Sequence, residues 1–205
     1  MITITERPPP NAPPRLVVAS TSRYRLELLE RLGVPFRAVA HHCNEDAFKH
    51  MGLRPLELAT KLSRAKAESV ANAHPGSYVL GSDQVCVLGD VILGKPETPE
   101  RAEAQLARLS GKTHELITAL ALRHPDGTFA ERVSVHRMTV RALSPGAIER
   151  YVAADMPLDC AGSYKIEGRG IALFTSIVGD DFTGIVGLPL IALTDLLNDA
   201  GFEVL

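Results

Sequence analysis

Stretches with strand-like and helix-like patterns of apolar residues alternate along the chain from residue 15 onward. Short apolar runs rich in β-branched residues are typical of strands, and apolar residues at every third or fourth position are typical of amphipathic helices. The alternation therefore predicts an α/β fold. We expect strands at 15–19, 34–40, 77–88, 113–124, 128–141 and 170–178, and helices at 22–32, 55–73, 99–109, 145–154 and 188–200.

The two long runs at 113–124 and 128–141 are joined by a Pro-Asp-Gly turn. Two strand-like runs with such a short turn predict an antiparallel hairpin, so we expect a mixed sheet rather than a purely parallel one. Gly111 fits the position that ends the helix 99–109, and Pro99 fits its first turn. The common glycine-rich fingerprints of dinucleotide-binding and P-loop proteins are both missing.

Composition narrows the classes of function. The 205 residues are 45% hydrophobic and 22% charged, with a formal net charge of −2, which is typical of a globular protein and gives no reason to expect nucleic acid as a partner. The three cysteines are odd in number and lack a C-x-x-C spacing, so we expect neither a disulfide framework nor a zinc site, and a reducing cytoplasm as the location. No apolar run is long enough for a membrane span or a signal peptide.

The first 14 residues contain the segment PPPNAPP. Proline-rich segments with few apolar residues lack the means to build a core. We therefore expect residues 1–14 to be a disordered tail and residues 15–205 to form a single domain.

The first predicted helix carries arginines at its N-terminal end. The helix dipole makes that end positive, so Arg23 and Arg25 are unfavourable there unless an anion binds. Ser20 and Ser22 add hydroxyl groups in the same turn, and Ser22 fits an N-cap. The pattern is consistent with a phosphate-binding turn, and equally with an ordinary capped helix whose arginines point into water.

Asp83 lies inside a run otherwise suited to a strand that is buried on both faces. Since an unpaired buried charge is costly, we expect it to meet a metal ion, a cation or a reacting water. The alternative is a strand-end aspartate that caps a neighbouring loop. Gly81, two residues earlier, would allow a ligand or another backbone to approach closely.

Three further charged positions complete the candidate chemistry. Lys66 falls on the apolar stripe of its helix, which aims it inward unless it snorkels to solvent. Lys95 is held between Gly94 and Pro96 on a loop, and Glu45 follows the second strand in a short acidic cluster that could equally be solvated. One arrangement would explain these features together. Arg25, Lys66 and Lys95 would neutralise a polyphosphate while Glu45 and Asp83 hold Mg²⁺ and the attacking water.

Seven ordered features resemble the Maf family of nucleoside triphosphate pyrophosphatases over residues 16–197. They are ASTSRYRLELLERLGVPF, the following Glu45, GSDQV, LGKP, RLSGKTHEL, CAGSYKIEGRG and GLPLIAL. The resemblance implies an elongated mixed sheet in two lobes with a deep cleft, related to inosine triphosphatases, often in a homodimer. It implies hydrolysis of a nucleotide between the α- and β-phosphates with a divalent metal, Mg²⁺ or Mn²⁺. Carried over by position, the catalytic residues are Asp83, Lys66 and Glu45, the metal ligands are Glu45 and Asp83, and the substrate-binding residues are Ser20, Arg25 and Lys95.

Three positions indicate which branch of the family the chain resembles. Many members have arginine, threonine and glutamine where this chain has Tyr24, Gln84 and Glu167, and those members favour dTTP and UTP. The residues here resemble the branch that acts on 7-methyl-GTP, although that branch has tryptophan at the first position. An aromatic face attracts the cationic methylated base, and Glu167 offers two acceptors for the donors of guanine. Strict alternation along the strand places the side chain of Gln84 on the face opposite Asp83. For Gln84 to act in the same site, either the strand bends or Gln84 acts through its backbone.

Two other functions stay open from the sequence. One is action on dTTP or UTP by the same chemistry, and the other is a nucleotide-binding regulator of cell division, which the resemblance also suggests. Intact Asp83, Lys66, Glu45 and Lys95 favour an enzyme over a regulator. We expect His114, in a strand-like stretch, to be a structural residue rather than a catalyst.

Overall fold

The computed structural model describes residues 16–205, so the predicted tail at 1–14 lies outside the described residues. The strands are β1 (Leu16–Val18), β2 (Phe36–Ala38), β3 (Tyr78–Leu88), β4 (Val91–Leu93), β5 (Thr113–Arg123), β6 (Phe129–Val140) and β7 (Phe174–Val178). The helices are α1 (Arg23–Glu30), α2 (Glu45–Lys49), α3 (Pro55–Ala71), α4 (Pro99–Leu109), α5 (Pro145–Asp155), α6 (Phe182–Val186) and α7 (Leu190–Asp199), with a 3₁₀ helix at Arg169–Leu173.

All seven strands form one mixed sheet in the order β2-β1-β3-β5-β6-β7, and β4 pairs with β3. β1 is parallel to β2 and to β3, whereas the remaining pairs are antiparallel. The predicted hairpin is β5 and β6, in register from Thr113 opposite Thr139 to Arg123 opposite Phe129. The expected mixed α/β fold is confirmed.

One edge of β3 is interrupted in the middle. Residues 78–80 pair with β1 and residues 86–88 pair with β4, so residues 81–85 have no strand partner on that edge in the described part of the chain. On the other edge β3 pairs with β5 without a break from Val79 to Val87. We call residues 81–85 the unpaired segment of β3. It leaves backbone groups open to side chains from elsewhere.

Each face of β3 carries two apolar cores that are separated at the unpaired segment. On one face Leu80 belongs to a core with β1, α1 and α7, and Cys86 belongs to another core with α4, α5 and β7. The polar side chains of Ser82 and Gln84 lie between these two cores because alternate residues of a strand share a face. The unpaired segment is therefore polar at the level where the two cores of this face are divided, and the two lobes implied by the resemblance stay a prediction.

The opposite face of β3 is covered by α3. Gly81 lets the helix approach closely, since a Cβ atom there would overlap the carbonyl oxygen of Ser63. Val85 packs against Leu58 and Leu62 on one side of Asp83, and Val79 packs against Val70 on the other. Gly81 therefore allows another backbone segment to approach closely, which is one of the two roles expected for it.

The boundaries differ from the expected ones in a few places. The expected strand at 170–178 is wrong in its first half, because the Gly170 amide donates to the carbonyl of Lys165 and the chain forms a 3₁₀ helix before β7 begins. Three short elements were not expected: α2, β4 and α6. Two of them, α2 and α6, contribute directly to the site described next.

Candidate active site

A cleft of about 580 Å³ opens at the unpaired segment of β3. Eight of the nine residues expected in the site line it: Tyr24, Arg25, Glu45, Lys66, Asp83, Gln84, Lys95 and Glu167. Further charged side chains in the lining, which sequence reasoning did not select, are Lys49, Glu97 and Asp159. Residues separated by more than 140 positions in sequence thus meet in one cleft.

Three charged side chains meet at the floor of the cleft. The Nζ atom of Lys66 lies 2.6 Å from Oδ1 of Asp83 and 2.9 Å from Oε1 of Glu45. The side chains of Lys66 and Asp83 are only 5% and 9% exposed, whereas that of Glu45 is 35% exposed. Asp83 therefore meets a cation, one of the three partners expected for it, and the alternative of a loop cap is wrong.

Helix α3 positions Lys66 as its apolar stripe predicts. Ala59, Leu62 and Val70 share the face of Lys66 and are buried against the sheet. The low exposure of the lysine excludes snorkelling to solvent. Because its stem is packed on both sides, the ammonium has little freedom to move away from the two carboxylates.

The two carboxylates have opposite pKa shifts. Burial raises the pKa of Asp83 above its ordinary value, although Lys66 and Arg25 oppose the effect. Burial alone would also raise the pKa of Glu45, but the Lys66 ammonium outweighs it and the pKa is lowered. Asp83 is thus the better proton acceptor of the two, and Glu45 is the more firmly ionised.

The short helix α2 delivers Glu45. The Asn44 side chain accepts a hydrogen bond from the Ala47 amide and caps the helix, and Glu45 and Asp46 favour its first turn. The Nε2 atom of His41 lies 3.5 Å from Oε1 of Glu45. The sequence signal for α2 was present in the capping residue and the acidic first turn, although a helix of five residues carries little hydrophobic periodicity.

Arg25 reaches the unpaired segment of β3. Its Nε donates to the carbonyl of Gly187 at 3.0 Å and its Nη1 donates to the carbonyl of Ser82 at 3.1 Å. Burial lowers the pKa of Arg25, while Asp83 and Glu45 oppose the shift. Two of its N–H groups therefore bond to backbone carbonyls, and within the described residues its remaining N–H groups are available to a substrate.

The other polar groups of the first turn have local explanations. Arg23 is exposed and pairs with Glu27, with 3.3 Å between Nε and Oε1, so it agrees with the second of the two expected possibilities, an arginine that points into water. Ser22 occupies the N-cap position without a side-chain bond to the helix. Ser20 is buried outside the cleft lining, and its hydroxyl accepts a hydrogen bond from the Ser22 amide at 3.1 Å. The structure thus shows Ser20 shaping the turn.

Gln84 lies on the face of β3 opposite Asp83, as alternation requires, and it still lines the cleft because the cleft extends around the unpaired edge. Its Nε2 lies 3.0 Å from Oγ1 of Thr118, 2.8 Å from the carbonyl oxygen of Gly184 and 3.1 Å from that of Ile185. The pairing of β3 with β5 continues through Gln84 without a shift in register, and it is the side chain of Gln84 that makes these contacts. Its amide fastens α6 to the sheet.

The remaining expected residues surround the cleft opening. Lys95 and Glu167 are exposed, and Tyr24 is half-buried. The guanidinium carbon of Arg23 lies 5.3 Å from the centre of the Tyr24 ring. Tyr24 and Glu167 come from α1 and from the segment before the 3₁₀ helix, so the candidate base-reading residues face the cleft from two different elements.

The carboxylate oxygens of Glu45 and Asp83 are the type of ligand that a divalent cation such as Mg²⁺ prefers. No group of three or more His, Cys, Asp or Glu side chains within residues 16–205 is arranged to hold a metal ion by itself. Mg²⁺ needs only one or two carboxylates, because substrate phosphates and water supply the other ligands. Glu45 and Asp83 each bind Lys66 through one oxygen and have no hydrogen bond to the other within the described residues.

His114 is buried away from these groups. Its Nε2 lies 2.8 Å from the hydroxyl oxygen of Tyr164, which in turn contacts the sulfur of Met138. Burial lowers the pKa of His114 to about 4, so the imidazole is neutral at neutral pH. His114 is thus a buried, hydrogen-bonded side chain outside the cleft lining, which is consistent with the structural role that the sequence predicts.

The sequence matches a known family and several named relatives. The model of the Maf-like protein family matches residues 15–200. A 7-methyl-GTP pyrophosphatase of Xanthomonas campestris is 48% identical over 93% of this chain and 98% of its own, and one of Pseudomonas putida is 46% identical over 92% and 98%. Both relatives are thus matched over almost their whole length.

Among solved structures, the Ham1 protein of Staphylococcus aureus superposes with a TM-score of 0.50 at 12% identity, over 91% of this chain and 99% of that one. The likeness shows the fold alone. Within the described residues, no helix combines the length and the apolar character needed to cross a bilayer. The family match over almost all of the described residues and the two full-length relatives show that the chain belongs to the Maf family.

Proposed function

We propose that this protein hydrolyses 7-methyl-GTP between the α- and β-phosphates, releasing 7-methyl-GMP and pyrophosphate. The observation that carries the proposal is the buried Asp83 held by Lys66 at 2.6 Å in the floor of the cleft. A carboxylate in that position can accept a proton from water, which a binding protein would not require. The relatives at 46–48% identity named 7-methyl-GTP pyrophosphatase support the substrate.

Asp83 acts as the proton acceptor in this proposal. Lys66 binds its Oδ1 and fixes the carboxylate, and Oδ2 has no hydrogen bond within the described residues. Burial raises the pKa of Asp83, which strengthens it as a base towards the water that attacks phosphorus. The bond between the α-phosphorus and the bridging oxygen breaks, and the electron pair leaves with pyrophosphate.

We further propose that Glu45 and Asp83 would hold a divalent cation, Mg²⁺ or Mn²⁺, with Asp83 doing so through water, so that its Oδ2 stays open to accept the proton. When bound, such an ion neutralises phosphate charge and favours both the attacking water and the leaving pyrophosphate. Lys95, with a free ammonium within the described residues, would bind phosphate beside it. The homodimer implied by the resemblance and the cytoplasmic location stay predictions.

Base recognition rests on Tyr24 and Glu167 in this proposal. The half-buried Tyr24 ring offers a π face to the cationic methylated base. The Glu167 carboxylate offers two acceptors to the adjacent N1–H and N2–H₂ donors of guanine. Because Glu167 is exposed, we expect its contribution near the lower end of the range for a charge-assisted hydrogen bond.

The test is pyrophosphate release from 7-methyl-GTP, GTP, dTTP and UTP, with Mg²⁺ and with a chelator, by the wild type and by Glu167→Gln. We expect the wild type to prefer 7-methyl-GTP and Glu167→Gln to lose roughly tenfold in kcat/KM for it while approaching the pyrimidine nucleotides. A wild type that prefers dTTP or UTP would make the alternative substrates correct. Binding without hydrolysis of any of the four would instead favour a nucleotide-binding regulator.

A further inference from the structure

The charges that line the cleft do not balance a triphosphate. Four lining side chains are cationic and five are anionic: Arg25, Lys49, Lys66 and Lys95, against Glu45, Asp83, Glu97, Asp159 and Glu167. A nucleoside triphosphate adds several negative charges to a lining that is already slightly negative. Whether each cation is free to bind phosphate therefore matters more than how many cations line the cleft.

Two of the four cations are already bonded inside the protein. The guanidinium of Arg25 donates to the carbonyls of Ser82 and Gly187, and the Lys66 ammonium binds two carboxylates. Lys95 has no hydrogen bond or ion pair within residues 16–205. Lys49 is the remaining cation, and neither the sequence nor the resemblance assigns it a role.

Lys49 occupies a position from which it can reach phosphate. It follows Glu45 by four residues on α2, so the two side chains share a helix face and both line the cleft. Its Nζ lies 3.0 Å from Oδ1 of Asp46, and the two side chains are 52% and 78% exposed. Ion pairs as exposed as this one are weak, so a triphosphate can displace Asp46 readily.

The pKa of Lys49 is consistent with this position. The hydrogen bond with Asp46 raises it most, and Glu45 and Asp83 raise it further. The ammonium therefore lies within the field of the two carboxylates at the floor of the cleft. It is protonated at neutral pH and available to an anion.

The orientation of a nucleotide in the cleft follows from the two faces of β3. Tyr24 belongs to α1, whose Arg25 reaches Ser82 and Gly187 on the face that carries α6. Helix α2 lies beside α3, on the opposite face, where Glu45 binds Lys66. With the base at Tyr24 and the α-phosphate at Asp83, the β- and γ-phosphates extend towards α2.

We propose that Lys49 binds the β- and γ-phosphates, exchanging Asp46 for the part of the substrate that leaves as pyrophosphate. The inference deepens the proposed function and rests on it for the direction in which the nucleotide lies. Asp46 then serves as the resting partner of Lys49, which keeps the ammonium at the cleft when no substrate is bound.

The experiment compares inorganic pyrophosphate with 7-methyl-GMP as ligands, each titrated in the presence of Mg²⁺ by calorimetry. The variants are Lys49→Ala, Lys49→Arg, Asp46→Asn and, as a control for loss of an exposed lysine outside the cleft, Lys61→Ala. We expect Lys49→Ala to weaken pyrophosphate binding about five- to tenfold and 7-methyl-GMP binding less than twofold. Lys49→Arg should retain most of the affinity, and Lys61→Ala should match the wild type.

Asp46→Asn separates binding from a structural role of the ion pair. If Lys49 only stabilised α2 through Asp46, both Lys49→Ala and Asp46→Asn would weaken pyrophosphate binding. The proposal requires Asp46→Asn to leave pyrophosphate affinity unchanged or to increase it. Equal losses for the two variants, or an equal effect of Lys49→Ala on both ligands, would overturn it.

These titrations need no turnover, so they are independent of the nucleotide panel. A wild type that hydrolyses none of the four nucleotides would contradict the proposed function while the pyrophosphate titration still decides the role of Lys49. Conversely, hydrolysis of 7-methyl-GTP with unchanged pyrophosphate affinity in Lys49→Ala would contradict only the inference about Lys49.

Discussion

The two faces of β3 use polar residues at the same level of the strand in different ways. On the α3 face, Asp83 binds Lys66 and has one carboxylate oxygen without a hydrogen bond in the described part of the chain. On the α6 face, Gln84 directs its amide nitrogen to Thr118 and to the carbonyls of two residues of α6. One face presents an open carboxylate oxygen to the cleft, and on the other face the amide nitrogen is bonded to the protein itself.

The difference shows that polarity inside a strand does not by itself mark a catalytic group. Buried polar groups must be paired in either case, since an unpaired one is costly. What separates Asp83 from Gln84 is the kind of atom left open: a carboxylate oxygen that can accept a proton, against an amide oxygen that cannot, since the amide nitrogen of Gln84 is already bonded. In using its donors within the protein, Arg25, which donates to two carbonyls, resembles Gln84 more than it resembles Lys95.

The largest effect is expected on the α3 face. Asp83→Asn keeps the shape of the side chain but removes the proton acceptor, so we expect kcat to fall by roughly two to four decades. Nucleotide binding should persist, because the cations of the cleft are unchanged. Pyrophosphate release measures the first effect, and calorimetric titration with 7-methyl-GTP measures the second.

The control for Asp83→Asn is the same chemical change at the exposed Asp195, which lies outside the cleft lining. Asp195→Asn should have the activity of the wild type. If Asp83→Asn folds normally and keeps more than a tenth of the wild-type kcat, Asp83 is not the proton acceptor and the contrast between the two faces fails.

A smaller effect of a different kind is expected on the α6 face. Gln84→Met removes the donor that fastens α6 and leaves carbonyl groups with fewer partners, so we expect the free energy of unfolding to fall by about 1–3 kcal/mol. Urea denaturation measures this change. If Gln84 acts through α6, activity should decline similarly for every nucleotide, because the amide does not read the base directly.

The resemblance assigns Gln84 to substrate specificity, and the same variant tests that assignment. An unchanged free energy of unfolding with a switch of preference towards dTTP or UTP would mean that the amide reads the base. The two faces of β3 would then both present side chains to the substrate.

Much of the fold could be predicted because its long elements carry strong periodic signals. The apolar stripe of α3 gave the direction of Lys66, and the turn at 125–127 gave the pairing of β5 with β6. The short elements escaped because three to five residues are too few to establish a period. In α6, the sequence FTGIV is typical of a strand, and its helix depends on the capping side chain of Asp181.

The site was predicted as a set of residues but not as a set of contacts. Asp83 and Lys66 stand out because a charge interrupts an apolar pattern, and that signal needs no knowledge of the neighbours. Bonds to backbone carbonyls leave no such mark in a sequence, so the contacts of Arg25 and Gln84 could not be foreseen. Lys49 was missed because it lies on a short helix whose charged residues resemble a solvated surface.

The smallest expected effect concerns Tyr24, at the rim of the cleft. Its ring should attract the methylated base by roughly 0.5–2 kcal/mol, since the cation–π interaction requires the charge on that base. Tyr24→Ala should therefore lower the ratio of kcat/KM for 7-methyl-GTP to that for GTP by roughly two- to thirtyfold, whereas Tyr24→Phe, which keeps the π face, should preserve the ratio. Arg23 lies 5.3 Å from the ring centre and competes with a cationic base, so Arg23→Ala should raise the same ratio slightly. Parallel loss of activity towards both nucleotides in Tyr24→Ala would show that the ring only packs the rim, and base recognition would then have to lie with Glu167 alone.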